Sequence, residues 1–212
     1  MREPFGPDPH GCGVDGGRAG AARSHLPPQQ LPAFTRLPAV TVCNSCMTNA
    51  EENQQAAGGA ATVVSASAVI NAPARTVFEL IADPACHADW DGNDNVSAAP
   101  TGQRIHQVGD VFTASLTTGA IRENRVVEFQ EDRRIAWLPG EQGKEAFGHL
   151  WRWELEPLGA DPSDSRTRVT HTYDWSGLPA DADPRRISRA RATTDSSLLA
   201  SILRLKELAE HG

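Results

Sequence analysis

Two alternating runs constrain this chain more than any other stretch. They are Phe147-Gly148-His149-Leu150-Trp151-Arg152-Trp153-Glu154-Leu155 and Thr167-Arg168-Val169-Thr170-His171-Thr172-Tyr173-Asp174-Trp175, joined by a polar Gly/Asp/Pro/Ser segment. Successive side chains of a strand point to opposite faces. One face therefore collects Phe147, His149, Trp151, Trp153 and Leu155 from the first run, and Val169, His171, Tyr173 and Trp175 from the second. The other face carries Arg152, Glu154, Arg168, Thr170, Thr172 and Asp174. The pattern predicts an antiparallel hairpin, wet on one side and aromatic with a few polar groups on the other. Such an inner face suits a container for an organic ligand.

The rest of the chain supplies what the hairpin packs against. Thr62 to Asn71 reads as a strand of small and β-branched residues. Pro73 fits the first position of a helix whose apolar side is Val77, Phe78 and Ile81, with Leu80 beside them. Asp83-Pro84 ends that helix and opens a second short one through Cys86, His87 and Trp90. Val96 to Ala98, His106 to Val108, Val111 to Leu116, Ile121 to Gln130 and Arg134 to Leu138 follow, with Pro139 to Lys144 as a polar loop. In the longest of these, Ile121, Glu123, Arg125, Val127 and Phe129 share one side. Asp183-Pro184 supplies an N-cap and a first helical residue, and helix then runs to the end with a break near Thr193-Thr194-Asp195. Leu198, Leu199, Ile202, Leu203, Leu205, Leu208 and Ala209 give it a wide apolar stripe. The order is strand, two short helices, about six strands, long helix. It predicts an α+β fold in which a curved antiparallel sheet wraps around the C-terminal helix and leaves a cavity where the two do not meet.

Residues 1–60 differ in kind. Seven of the fifteen prolines (Pro4, Pro7, Pro9, Pro27, Pro28, Pro32 and Pro38) fall in residues 1–46, and no helix or strand period appears there. Such a segment buries too little apolar surface to offset its ordering entropy. It reads as disordered, with residues 47–60 as a linker and 61–212 as the folded domain. Met47-Thr48-Asn49-Ala50 has the form of a protein start, so residues 1–46 are expected to be an over-called beginning. Cys43-Asn44-Ser45-Cys46 reads as coincidence, since a structural zinc takes four ligands and a redox pair opens a helix beside a strand.

A net charge of −7 argues against nucleic-acid or anionic-membrane partners, which call for a basic face. No apolar run approaches the roughly 20 residues of a membrane span. Neither a nucleophile elbow, a P-loop, a dinucleotide fingerprint nor a paired metal motif is present in the sequence. The expectation is a cytoplasmic monomer or homodimer with no cofactor and no metal. A metal at His149 and His171 would call for a third ligand such as Glu123.

Several stretches, taken in order, are similar to the START-like, or helix-grip, superfamily, which includes the bacterial polyketide cyclase/dehydrase and lipid transport group. They are Ile70-Asn71-Ala72-Pro73 through Asp83-Pro84, His87-Ala88-Asp89-Trp90, Val126-Val127-Glu128-Phe129, Arg134-Ile135-Ala136-Trp137, Trp153 through Pro157, Thr167 through Asp174, and Leu203 through Glu210. The resemblance implies a helix-grip fold and a cavity for a hydrophobic small molecule. It is specific for the fold and not for one chemistry. In this superfamily the region of Trp90 shapes the cavity entrance, which makes Trp90 the expected gate.

The expected ligand-binding set is Trp90, Phe112, Glu123, Arg125, Trp137, His149, Trp151, Trp153, His171, Tyr173 and Trp175. Within it, His149, His171 and Tyr173 are the acid–base candidates, because an unperturbed histidine titrates near pH ~6.5. Three functions stay open. The first is a binder of a lipid or polyketide-like molecule. The second is a cyclase/aromatase-type enzyme that uses these groups for aldol-type ring closure and dehydration. The third is a non-catalytic interaction domain with a vestigial cavity. Arg185, Arg186, Arg189 and Arg191 read as a solvated helix face.

Overall fold

The computed structural model describes residues 61–159 and 165–212. The Pro-rich segment, the Cys43–Cys46 pair and the expected start at Met47 lie outside the described residues. In chain order the elements are β1 (Val63–Ile70), α1 (Ala74–Ala82), a 3-10 turn (Pro84–Cys86), α2 (His87–Trp90), β2 (Val96–Ala98), β3 (Val111–Leu116), β4 (Ile121–Gln130), β5 (Arg134–Glu141), β6 (Leu150–Pro157), β7 (Thr167–Asp174), α3 (Pro184–Ala192) and α4 (Asp195–His211). The strands form one seven-stranded sheet in the order β1-β7-β6-β5-β4-β3-β2, antiparallel throughout. The sheet curls into a half-barrel that grips α4, as expected of a helix-grip fold.

The hairpin that dominates the sequence is β6–β7. Its register sets Trp151 opposite Tyr173, Trp153 opposite His171 and Leu155 opposite Val169. Trp153 and Val169 are 0 % exposed, so the inner face is core. On the outer face Arg152 bonds to Glu128 of β4. The first run is shorter than the alternation suggests. Gly148 adopts φ +96°, so regular strand begins only at Leu150.

Helix α1 buries Val77, Phe78, Leu80 and Ile81, and full burial of side chains this size is worth roughly 1.5–3 kcal/mol each. It begins one residue later than expected, with Pro73 as its N-cap. Its last four carbonyls have no partners within the helix, and four outside groups cap them. Asp83 N–H donates to Glu79 O (3.0 Å), and Ile105 N–H to Ala82 O (2.8 Å). Trp90 Nε1 donates to Leu80 O (2.9 Å), and His87 Nε2 to Ile81 O (2.8 Å). The H-x-x-W spacing of α2 thus finishes α1.

The C-terminal helix breaks where expected. Thr193 leaves helical geometry, and Thr194 opens α4 with a capping box to Ser197. The buried line of α4 is Leu198, Ser201, Ile202 and Leu205. Leu199 and Leu203 are 37 % and 47 % exposed, a correction to the wide stripe: they lie beside the i, i+3, i+4, i+7 line that faces the sheet. Ser201 occupies that line because Gly92 packs against it. Gly92 N–H donates to Ser201 Oγ (2.9 Å), and a Cβ on Gly92 would stand 2.4 Å from Ser201 N.

His106–Val108 forms no strand and is an irregular segment that ends in a turn. One more expectation is corrected. Strand β5 runs on through Pro139 and Gly140, because Phe147 N–H donates to Pro139 O (2.9 Å) and Gly140 bridges Ala146, which prolongs the ladder into the expected loop.

Candidate functional site

A cavity of about 210 Å³ opens between the concave face of the sheet and the helices. Three walls build it. One is the inner face of β6–β7, with Trp151, Trp153, His171 and Tyr173. The second is the inner face of β3–β5, with Phe112, Asn124 and Trp137. The third combines His87 and Trp90 of α2 with Arg186, Arg189 and Thr193 of the α3 segment.

The aromatic wall is continuous. Trp153 and His171 stack with ring centroids 3.7 Å apart and 11° between planes. Trp151 lies 4.3 Å from Tyr173. His87 stacks on Trp137 at 5.4 Å and meets Phe112 edge-on at 5.5 Å. Trp90 contacts Trp153 edge-on at 5.1 Å. Trp90, the expected gate, is only 4 % exposed, hydrogen-bonded to α1 and part of the cavity wall.

Two expected lining residues point elsewhere. Glu123 and Arg125 do not border the cavity; Arg122 and Asn124 do. A bulge at Val127 is the reason. Val126 pairs with Trp137 and Glu128 with Ala136, so Val127 has no cross-strand partner and the side-chain phase reverses there. Phe129, after the bulge, packs on the core beside Phe78. Before it, the inner positions are Arg122, Asn124 and Val126. Glu123 instead accepts from Gly143 N–H (3.2 Å). Trp175 is also outside the cavity and packs against the small cluster of Tyr173, Ala190 and Leu198.

The two histidines of the hairpin are not cross-strand partners. His171 faces Trp153, and the Trp151–Tyr173 pair stands between it and His149. His149 precedes β6, stacks on Phe147 at 5.9 Å and meets Tyr173 edge-on at 5.6 Å. Among the described residues, His149 Nδ1, His171 Nδ1 and Trp153 Nε1 are buried with no protein hydrogen-bond partner, and all three side chains border the cavity.

Burial sets the protonation states. It pushes His171 down to about 3, against the backbone hydrogen bond at Leu198. It pushes His87 down to about 4, against the bond to Ile81 O. His149 is also lowered to about 4, first by burial and then by the positive charges of Arg186, Arg122 and Arg189. Burial raises the Tyr173 phenol to about 12. At neutral pH the cavity therefore presents uncharged imidazoles and a protonated phenol. Among the described residues no group of three His, Cys, Asp or Glu side chains is placed to hold a metal ion. No helix among them is long and apolar enough to cross a membrane.

Sequence reasoning missed His87, Arg122, Asn124, Arg186 and Arg189 as lining residues, and left Phe147 out of the ligand set although it lies on the expected inner face. The i, i+3 spacing of Arg186 and Arg189 was the visible signal for a shared helix face. The Val127 bulge has no comparable signal.

Residues 61–210 match the family model described as polyketide cyclase / dehydrase and lipid transport. Among curated proteins, the uncharacterised protein Rv0088 of Mycobacterium tuberculosis is 30 % identical over 120 residues, covering 55 % of this chain and 49 % of the relative. The chain thus spans about half the length of the curated relatives it matches. Among solved structures, a START superfamily protein from Mycobacterium smegmatis aligns with a TM-score of 0.49 and 13 % identity, covering 70 % of this chain and 97 % of that one. The Aha1 dimer from Colwellia psychrerythraea aligns with a TM-score of 0.48 and 15 % identity, covering 71 % and 97 %. The family match runs from the residues just before β1 almost to the end of α4, and the chain belongs to the polyketide cyclase / dehydrase and lipid transport family.

Proposed function

We propose that this domain binds a hydrophobic small molecule, lipid or polyketide-like, in the cavity between the sheet and the C-terminal helices. The observation that carries the reading is the composition of the cavity wall. Aromatic faces from Phe112, Trp137, Trp151 and Trp153 surround a few buried ring nitrogens that no protein group satisfies. A buried polar group without a partner costs about 1–3 kcal/mol. A ligand with one or two polar atoms on a carbon skeleton offsets that cost while its apolar surface is buried at roughly 25 cal/mol per Å². Native mass spectrometry of the full chain taken directly from cells, before and after organic extraction, tests this. An extractable mass shift is expected. A chain that carries no adduct and takes up none from a panel of lipids and polyketide-like aromatics would sink the reading.

One observation favours a catalytic variant. Neutral His149 sits beside the protonated phenol of Tyr173, an acceptor and a donor on one ligand-facing patch. For the pair to move protons in ring closure and dehydration of a polyketone, the bound substrate has to bring the pKa values of both groups toward neutrality. Under this reading His149→Ala abolishes turnover of a poly-β-ketone substrate and leaves its binding within a few-fold. Equal loss of both assigns His149 to binding alone.

A further inference from the structure

Three arginines converge on the cavity from two sides. Arg122 comes from the inner face of β4, and Arg186 and Arg189 come from one face of α3. Phe147 draws two of them together: the Arg186 guanidinium carbon lies 3.6 Å from its ring centroid, and that of Arg122 lies 5.3 Å from the same centroid. Cation–π contact of this kind holds a guanidinium without consuming its N–H donors on a carboxylate.

Arg104, Arg134, Arg152, Arg168 and Arg204 each form an ion pair with Glu or Asp, while Arg75, Arg125, Arg133, Arg185 and Arg191 form none among the described residues; Arg122, Arg186 and Arg189 are the unpaired arginines that border the cavity. Among the described residues no carboxylate lies within ion-pair distance of Arg122, Arg186 or Arg189. This happens in a chain with 27 acidic and 20 basic side chains, where partners are in surplus. The carboxylate whose field reaches Arg122 is Glu141, and Lys144 holds it at 2.5 Å. Burial, and then the like charges of Arg189 and Arg186, make the charged state of Arg122 harder to hold. Arg185 and Arg191, on the same helix, do not border the cavity. Like charges crowded at the rim of an aromatic pocket, in a protein with acids to spare, leave a place for an anion that the chain itself does not supply.

Building on the ligand-binding reading above, we infer that the ligand is an anionic amphiphile whose oxyanion head, a carboxylate or phosphate, sits between Arg122, Arg186 and Arg189 while its carbon skeleton lies along Trp151 and Trp137. The guanidinium fork matches either oxyanion in bidentate fashion. Neutral imidazole at His149 keeps a fourth cation out of the cluster while leaving a hydrogen-bonding nitrogen at its edge.

The test uses the full chain and three probes of equal chain length: decanoate, decyl phosphate and 1-decanol, titrated by calorimetry at pH 8 in low and high salt. At least one of the two anions is expected to bind about tenfold or more tightly than the alcohol, with the gap narrowing in high salt. The stronger anion identifies the head group. Arg122→Gln, Arg186→Gln and Arg189→Gln are each expected to weaken the anion about three- to tenfold and leave 1-decanol within about twofold. Arg185→Gln and Arg191→Gln are expected to change neither. Equal wild-type affinity for alcohol and anions overturns the head-group assignment and leaves the cavity reading standing. Binding of none of the three overturns the anionic-amphiphile assignment, and the cavity reading falls with it if the chain taken from cells also carries no extractable adduct.

Discussion

Trp153 and His171 face each other across the β6–β7 hairpin with ring centroids 3.7 Å apart and planes 11° from parallel. The imidazole is 3 % exposed and the indole 0 %. Burial against the indole disfavours the imidazolium and pushes the His171 pKa down to about 3.

That relationship fixes the sign of an acid response. The folded-state pKa of His171 lies below the ordinary value of 6.5, so between these two values the unfolded chain binds the extra proton. The contribution is complete above pH ~6.5 and is lost as pH falls toward 3. From pH 7 to pH 5 one such histidine removes about 2 kcal/mol of stability. His87 and His149, lowered to about 4, act in the same direction. His171→Phe keeps a flat ring on Trp153 and removes the proton site. Urea unfolding at pH 7 and pH 5 should therefore show a smaller pH dependence for the variant, by about 2 kcal/mol. An unchanged difference would mean that His171 is hydrated in the folded state.

Gly148 decides where Phe147 and His149 point. Its φ of +96° belongs to the region that glycine adopts readily, and an added Cβ would stand 2.1 Å from Gly177 O. Gly148→Ala therefore meets both backbone strain and a backbone clash. Neither can be relieved without moving the segment that sets Phe147 beside Arg186. We expect a loss of about 2–4 kcal/mol and a matching fall in ligand affinity. Thermal unfolding together with a binding titration checks this; a variant as stable and as tight-binding as the parent would show that the segment is loosely held.

The fold was legible because its signals are local and repeated. The alternation in β6 and β7, the Asp83-Pro84 stop, the Asp183-Pro184 start and the Thr194 cap each act within a few residues of themselves. The cavity lining was only half legible. Phe112, Trp137, Trp151, Trp153, His171 and Tyr173 followed from strand period alone. Glu123 and Arg125 were misplaced because one unpaired residue, Val127, shifts the phase of everything before it, and valine is an ordinary strand residue. Arg186 and Arg189 resembled a solvated face because nothing in their own sequence reports that Phe147, far along the chain, waits for them.

Trp90 offers a way to separate two roles. A gate would alter how fast a ligand enters and leaves; a cap on α1 alters stability. Its Nε1 satisfies Leu80 O, and the ring is 4 % exposed. Trp90→Phe keeps an aromatic ring but leaves that carbonyl unpaired and trims the contact with Trp153. We expect a loss of about 1–3 kcal/mol in urea unfolding, with stopped-flow association rates for decanoate within about threefold of the parent. Unchanged stability with a large rate change would make Trp90 a gate.

The Val127 bulge can be tested by removing it. Val127→Ala trims a side chain but keeps the two-against-one count, so the phase of β4 is retained and the cost is about 1 kcal/mol. Deleting Val127 restores a one-to-one ladder without changing its register, because Val126 already pairs with Trp137 and Glu128 with Ala136, which are neighbours on β5. Ile121 to Val126 therefore keep their faces: Val126 stays in the core and Arg122 stays beside Phe147. What is lost is the local bend and twist that the extra residue gives β4. The deletion is therefore expected to lower the unfolding midpoint by no more than about 5 °C beyond Val127→Ala, and to retain the preference for an anionic over a neutral probe. A deletion variant that unfolded far below the alanine variant and lost that preference would mean that β4 slips its register when the extra residue is removed, and that its pairing with β5 does not set the inward face of the strand.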